Sequence, residues 1–492
     1  MKTIYAILCS IVFSVSLMAQ TKSVDEELAG AIANEQWADV NRIYSISQDK
    51  IESACLKKLS GFLIHHFYNR PDSALAIGPD LLNNYQQELG ASLPGVIYLF
   101  ANDLAKTGNY QEGANVIKMM CDAWKQSGDS LSEPYQSYYN YYQEYQSLAD
   151  IGHIMAMEKP ENDLSLPFTF AGNKENPISI HLNGTLNGQD EQFIWDTGAG
   201  VNIISTQFAT KHHLKIRGKG LPVSGMGITE SKLAIADSVC IGQIKLYNVP
   251  FYVVETETGN AEANKVLSTL YPVIGLPVMQ KLEEFQLDLD KHQLVIPRTL
   301  TPSPYPMPNI YLNSSNNLYL QLFSNNQVLE MKFDTGASNT LLSSSYYSRN
   351  KEIVDLTGKK DSLRMAGIGG VKISQVFVLP KFTYSIGKNE FQADSVHIDT
   401  EIAANMEKDG TMGIDLMAKP WKVIVNLKDM HVSFIPRLQS PVNQQTINLN
   451  INRKVPKKQI ISLGPSKGST PTVETRFEKN KNGQIKPETN LP

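Results

Sequence analysis

The stretch that decides the fold is Phe193-Ile194-Trp195-Asp196-Thr197-Gly198-Ala199, and a near copy follows as Met331-Lys332-Phe333-Asp334-Thr335-Gly336-Ala337. In each copy a largely apolar strand leads directly into Asp-Thr-Gly-Ala, which places a carboxylate on a turn. One copy alone would predict an ordinary surface turn. Two copies predict a pair of carboxylates that duplicated halves bring together, which suits acid–base hydrolysis with a shared proton.

The repeat continues downstream of each tetrapeptide. A glycine-rich hairpin candidate follows at 224–228 in the first half and at 366–370 in the second. Asp196 precedes Gly275 by 79 residues, and Asp334 precedes Gly413 by the same 79. Each half then closes on a predicted pair of strands. Matched spacing across several elements indicates an internal duplication.

These motifs resemble those of the pepsin and retropepsin group of aspartic proteases, in a bacterial exported form that carries both Asp-Thr-Gly-Ala lobes in one chain. The resemblance covers residues 160–437. It implies a mainly β fold of two duplicated acid-protease lobes, with Asp196 and Asp334 as the catalytic pair. Since one chain holds both lobes, it also implies activity as a monomer.

The resemblance assigns roles to the residues around the pair. Each threonine would reach across to the backbone of the opposite loop, and the glycines would let the backbone turn sharply. Mobile hairpin tips would close over a peptide. The loop-support residues are Thr197, Gly198, Thr335 and Gly336, and the flap candidates are Gly225, Gly227, Gly367, Gly369 and Gly370.

Three features qualify this picture. Pro277 stands after Gly275, where the second half has Asp415 after Gly413. Alanine follows each glycine, so no hydroxyl donates to the carboxylates, and we expect activity at milder acidity than at a hydroxyl-bearing site. The sequence leaves open which aspartate carries the proton, because such a pair titrates as one unit.

Composition narrows the function classes. The 492 residues are 42% hydrophobic and 19% charged, which is typical of a globular protein of several domains. A net charge of −4 gives no general attraction to nucleic acid. The adjacent pairs His65-His66 and His212-His213 point in different directions on a helix or strand, so they predict no metal site. We expect a peptide or protein substrate and no cofactor.

The chain divides into five predicted segments. Lys2 followed by an apolar run to Met18 is typical of an export signal, and this run is shorter than the ~20 residues of a spanning helix. We therefore expect a periplasmic or secreted protein with no transmembrane segment after signal removal. The predicted segments are a signal peptide (1–20), a helical domain (22–150), lobe 1 (160–300), lobe 2 (301–437) and a basic, polar, disordered tail (438–492).

The helical domain has a loose internal period. Trp37, Pro71 and Tyr110 are spaced by 34 and 39 residues, near the period of tetratricopeptide repeats. A plain helical bundle fits the pattern equally well. If the repeats are present, their surface would bind a protein partner and select which proteins are cut.

Taken together, the motifs predict an aspartic endopeptidase that uses the two aspartates to activate water. Two alternatives from other classes stay open: a catalytically degenerate peptide-binding module, and a helical-repeat adaptor of the cell envelope. Retention of both aspartates and both threonines favours the enzyme.

Overall fold

The computed structural model describes residues 22–172, 177–255, 264, 270–401 and 408–437, and the backbone of 477–479 and 485–487. The predicted signal peptide and most of the predicted tail lie outside these residues. No helix in the described part of the chain is long and apolar enough to cross a membrane.

The N-terminal region is helical from residue 24 to residue 149. Short 3-10 turns at Gln48–Lys50 and Gly90–Ser92 interrupt it. Its α-helices are α1 (Val24–Ala33), α2 (Trp37–Ser47), α3 (Ala54–Phe67), α4 (Pro71–Asn84), α5 (Gln86–Leu89), α6 (Leu93–Lys106), α7 (Tyr110–Gln126) and α8 (Glu133–Ala149).

Local sequence explains where these helices start. The Ser23 hydroxyl accepts a hydrogen bond from the Glu26 N–H, and the Glu26 carboxylate accepts one from the Ser23 N–H, which forms a capping box at α1. Trp37, Pro71 and Tyr110 are each the first residue of a helix. The 34- and 39-residue spacing therefore marks helix starts, while the tetratricopeptide assignment stays a prediction.

Short strands follow in the first half, as their alternating pattern predicts. This half also holds helices α9 (Thr206–Lys211) and α10 (Leu276–Leu282). Its strands are β1 (Ala156–Glu158), β2 (Leu164–Gly172), β3 (Pro177–Leu186), β4 (Gln189–Trp195), β5 (Ile203–Ser205), β6 (Lys215–Lys219), β7 (Val223–Ser224), β8 (Ile228–Thr229), β9 (Ser231–Ile241), β10 (Ile244–Val254), β11 (Val273–Ile274), β12 (Glu284–Asp288) and β13 (Gln293–Ile296).

The second half repeats this organisation. Its helices are α11 (Ser344–Arg349), α12 (Lys351–Thr357) and α13 (Ile414–Met417). Its strands are β14 (Ile310–Leu312), β15 (Leu318–Ser324), β16 (Gln327–Phe333), β17 (Leu341–Leu342), β18 (Lys359–Gly367), β19 (Gly370–Leu379), β20 (Phe382–Ile386), β21 (Asn389–Ala393), β22 (Val396–Asp399), β23 (Gly410–Met412), β24 (Lys422–Asn426) and β25 (His431–Ile435).

Equivalent strands of the two halves pair in the same way. β11 runs parallel to β4, and β23 runs parallel to β16. The closing hairpins of the halves, β12–β13 and β24–β25, join through antiparallel pairing of β12 with β24, from Glu284 opposite Asn426 to Asp288 opposite Lys422. Two duplicated β lobes behind a helical region are therefore confirmed as the fold, and one 13-stranded sheet contains strands of both halves.

The helical region packs against both lobes. On the first lobe, the Tyr252 hydroxyl of β10 donates to the Glu144 carboxylate of α8 at 2.6 Å. On the second, Lys408 donates to the Glu35 carbonyl at 2.8 Å, and the Asn69 side chain donates to the Leu427 carbonyl at 2.9 Å. The compact unit accordingly runs through helices and lobes to Arg437.

The segment beyond Arg437 forms a unit of its own. Its described residues are an antiparallel pair of strands, β26 (Phe477–Lys479) and β27 (Ile485–Pro487).

Candidate active site

The two predicted aspartates occupy equivalent places at the ends of paired strands. Asp196 follows β4, and its N–H donates to the Ile274 carbonyl of β11 at 3.1 Å. Asp334 follows β16, and its N–H donates to the Met412 carbonyl of β23 at 3.1 Å. The apolar strand and the apolar-apolar-Gly segment of each half thus position each carboxylate from two sides.

The two threonines bind the opposite loops together. The Thr197 hydroxyl donates to the Phe333 carbonyl at 2.7 Å and accepts from the Thr335 N–H at 3.0 Å. The Thr335 hydroxyl donates to the Trp195 carbonyl at 2.7 Å and accepts from the Thr197 N–H at 3.0 Å. Both side chains are fully buried. Four reciprocal hydrogen bonds in a dry interior fix the distance between the loops.

The two glycines bring each loop against the opposite carboxyl group. A Cβ at Gly198 would overlap the Asp334 carboxyl, and a Cβ at Gly336 would overlap the Asp196 carboxyl. Only glycine permits this approach. The structure therefore brings Asp196, Asp334 and their four support residues together at one place.

The carboxylates differ in the donors that they receive. Asp196 Oδ1 accepts one backbone hydrogen bond, from Gly198 at 2.8 Å. Asp334 Oδ1 accepts two, from Gly336 at 2.9 Å and from Ala337 at 3.0 Å. Asp334 Oδ2 lies 3.2 Å from Lys332 Nζ. More groups that favour a negative charge therefore surround Asp334.

Burial and a neighbouring negative charge raise the proton affinity of the Asp196 carboxyl. Loss of hydration, followed by the adjacent Asp334 charge, raises the pKa of Asp196 to about 7. The Lys332 charge and the Gly198 N–H oppose this rise. The direction is that expected for two carboxyls that share a proton.

A second layer supports each loop with different chemistry. In the second half the Thr340 hydroxyl accepts from the Gly413 N–H at 3.0 Å and donates to Asp415 at 2.7 Å. In the first half Asn202 takes the place of Thr340. Its side-chain oxygen accepts from the Gly275 N–H at 2.9 Å, and its side-chain amide donates to a backbone carbonyl, that of Pro250, at 3.1 Å. An acidic partner is therefore not needed where Pro277 replaces Asp415.

The predicted flap glycines lie at two hairpin tips that meet. Gly225 and Gly227 lie in the turn between β7 and β8, and Gly367, Gly369 and Gly370 surround the turn between β18 and β19. Across the gap the Met226 N–H donates to the Ile368 carbonyl at 2.7 Å. These tips border the same cavity as the aspartates, so they are placed to cover it.

That cavity has a volume of about 2100 Å³. Asp196, Asp334, Met226 and Ile368 line it, and so do side chains of the helical region. Tyr110, at the start of α7, and Leu148, near the end of α8, pack with Val223 and Ile368 in one apolar cluster. The helical region therefore forms part of the cavity wall.

Sequence reasoning missed two features of the site. The signal for Lys332 was present in the sequence, because Lys332 is a charged residue in the otherwise apolar segment Met331-Lys332-Phe333 that leads into Asp334. The buried pair of Glu144 and Tyr252 left no such signal, because their partnership depends on the packing of α8 against β10. No group of three or more His, Cys, Asp or Glu that could hold a metal occurs among the described residues.

Comparison with known proteins gives a family match over part of the chain and a distant structural neighbour. Residues 182–271 match the family model described as aspartyl protease, and this segment contains Asp196 and the first hairpin tip. A search of curated proteins gives no match. Among solved structures, a retropepsin-like aspartic protease from Rickettsia conorii is 18% identical, with 29% of this chain and 93% of that chain covered and a TM-score of 0.20. The family match over residues 182–271, together with the paired Asp-Thr-Gly loops, supports an aspartic protease.

Proposed function

We propose that this chain is an aspartic endopeptidase in which Asp196 and Asp334 activate a water molecule against a peptide bond. The observation that carries the proposal is the set of reciprocal threonine hydrogen bonds, 2.7–3.0 Å long, which holds the two carboxyl loops together. A protein that only bound peptides would gain nothing from two carboxyls held in mutual contact, since like charges repel.

The reaction needs no covalent intermediate. One ionised carboxylate takes a proton from water, whose oxygen attacks the peptide carbonyl carbon. The protonated carboxyl gives its proton to the carbonyl oxygen, and a tetrahedral diol forms. When the diol collapses, the first carboxyl passes its proton to the leaving nitrogen and the second recovers a proton from a diol hydroxyl. One water is consumed, and both carboxyls return to their initial state.

The flap hairpins and the helical region supply the substrate site. The hairpin tips cover the cavity, so a bound peptide would be shielded from bulk water while the carboxyls act. The contribution of the helices to the cavity wall supports the proposal that they help to choose substrates. We also propose export to the periplasm or the medium on the basis of the N-terminal sequence, and activity as a monomer on the basis of the two lobes in one chain.

Cleavage of a diverse peptide mixture across pH tests the proposed function. We expect internal cleavage that a statine-type inhibitor blocks and that Asp196→Asn and Asp334→Asn each abolish. Specific activity should stay constant on dilution of the wild-type protein. Tight peptide capture without cleavage at any pH would instead identify a binding module.

A further inference from the structure

Lys332 is a charged residue at the centre of the site. Its Nζ lies 3.2 Å from Asp334 Oδ2, and only 15% of the lysine side chain and 14% of the aspartate side chain are exposed. A lysine in such a place loses much of its hydration, and the adjacent anion compensates for that loss. The ion pair is thus part of the site and not a surface contact.

The lysine breaks the symmetry of the two halves. Lys332 lies two residues before Asp334 on β16, opposite Thr411 of β23. The residue two before Asp196 on β4 is Ile194, opposite Val273 of β11. The duplicated halves therefore present a cation at this position of the second lobe and an apolar side chain at the same position of the first.

Charged and polar groups on neighbouring strands surround Lys332. Glu330, on the same strand, is paired with Lys408 at 2.6 Å. Tyr319 of β15 lies opposite Lys332 in the strand register. Lys332 contacts Asp334, and its positive charge also lowers the pKa of Asp196 across the loops.

We propose that Lys332 is a positioning residue that fixes the protonation state of the pair, so that Asp334 carries the negative charge and Asp196 carries the proton. The ion pair and the two backbone donors on Asp334 oppose a single backbone donor on Asp196. Each of these contacts favours the charged form of the carboxyl that receives it.

This inference rests on the proposed function and gives each aspartate a separate task. Asp334 accepts the proton of the attacking water, and Asp196 donates its proton to the peptide carbonyl oxygen. Burial, which raises the pKa of Asp196, keeps that proton in place up to near-neutral pH. The ion pair with Lys332 and the two backbone donors favour the negative charge on Asp334, which suits this carboxylate to act as the base.

Carbon NMR of protein labelled at the aspartate carboxyls tests the assignment without any need for catalysis. Asp196→Asn and Asp334→Asn identify the two signals. At pH 5 to 6 we expect the Asp334 carbon at the chemical shift of a carboxylate and the Asp196 carbon at that of a protonated carboxyl. In Lys332→Met the two signals should move toward each other, whereas Lys332→Arg should preserve the wild-type pattern. A protonated Asp334 in the wild type, or signals unchanged in Lys332→Met, would overturn the proposal.

The pH profile of kcat/KM gives a second readout. Lys332→Met should move the acid limb to higher pH by about one unit, a tenfold loss of activity at the acidic end, because the proposed base loses its ion pair. Lys388→Met removes the same charge from an exposed turn of the same lobe and should leave the profile in place. A uniform loss of activity at all pH values would reveal a merely structural role for Lys332. Absence of cleavage in the wild type would refute the proposed function, while the NMR result would still decide the proton assignment.

Discussion

Asp196 and Asp334 should respond differently to the same substitution, although each begins a copy of the same tetrapeptide, Asp-Thr-Gly-Ala. Asp196→Asn removes a carboxyl whose raised pKa makes it costly to ionise, so the free energy of unfolding at pH 8 should rise. Asp334→Asn leaves Lys332 without its anion and should lower the free energy of unfolding by about 1–3 kcal/mol. Urea denaturation at pH 8 measures both.

A matched control for these variants is Asp190→Asn, because Asp190 is exposed on β4. Asp190→Asn should change the free energy of unfolding by no more than about 0.5 kcal/mol. Equal destabilisation by the two active-site substitutions would contradict the asymmetry of the pair. Both should nevertheless abolish turnover, and the double variant should lose no more than either single one, since the residues act as a unit.

For the active-site residues, the sequence predicted which side chains meet but not how the two carboxyls differ in their preference for the negative charge. The repeated motif placed Asp196, Asp334 and both threonines, because strand and turn chemistry are local. It could not rank the carboxyls, because the ranking depends on the backbone N–H groups and the lysine amine that converge on each oxygen. The positions of these donors around each carboxyl are set only when the two loops pack together.

Among the elements, the two loops depend on the threonine hydroxyls that link them. Thr197→Val keeps the volume of the side chain but removes one donor and one acceptor, which leaves the Phe333 carbonyl and the Thr335 N–H unsatisfied in a dry interior. The free energy of unfolding should fall by about 1–3 kcal/mol. Thermal or urea unfolding measures the loss.

Comparison with other threonine variants tests the reciprocity of these bonds. Thr335→Val should lower the free energy of unfolding by as much as Thr197→Val. The double variant should lower it by less than the sum of the two, because both side chains belong to one hydrogen-bond network. Thr169→Val on the exposed face of β2 is the control and should have little effect. Additive losses from the two buried threonines would argue against a shared network.

The flap hairpins should tolerate no added bulk at their meeting point. A Cβ at Gly225 would overlap the Ile368 carbonyl, so Gly225→Ala should force the tips apart and weaken their cover of the cavity. We expect kcat/KM for a peptide to fall by about tenfold, a loss of about 1.4 kcal/mol of transition-state stabilisation.

Gly152→Ala is the control for the flap, since a Cβ at Gly152 meets no atom within 4 Å. Its peptide kinetics should match those of the wild type. A Gly225→Ala enzyme with unchanged kinetics would mean that contact between the tips is not required for turnover.

For the whole molecule, the junction between helices and lobe depends on a buried carboxyl. Glu144 of α8 is 5% exposed, and burial raises its pKa to about 7, although the hydrogen bond from Tyr252 opposes the rise. A carboxyl whose pKa is higher when folded favours the folded state below its ordinary pKa, and this contribution is lost as pH rises through the folded value. The free energy of unfolding should therefore decline between pH 4.5 and about 7.

Glu144→Gln should reduce this decline by about 2–3 kcal/mol, because the amide stays neutral at every pH. Urea denaturation at pH 4.5, 6 and 8 measures it. Glu161→Gln, in an exposed loop, should keep the wild-type pH dependence. If Glu144→Gln kept the full decline, the titrating group would lie elsewhere.

The arrangement of the whole molecule was predictable only in part. The order of helices and then two β lobes followed from local periodicity and the duplicated motifs. The packing of α8 on β10 and of Lys408 on Glu35 did not, because these contacts join segments far apart in the chain and leave no spacing pattern. The sequence predicted a helical domain that selects substrates, and the structure adds that these helices form part of the cavity wall.

The pairing of β12 with β24 also has a consequence for biosynthesis. β12 ends at Asp288, yet its partner strand begins only at Lys422, so a nascent chain that has released its first half from the ribosome carries an uncovered strand edge. N-terminal parts of a chain generally fold first, and such an edge attracts other unfinished chains. Translation that stalls between the halves should therefore yield aggregates, because only the completed second lobe supplies the strand that covers this edge.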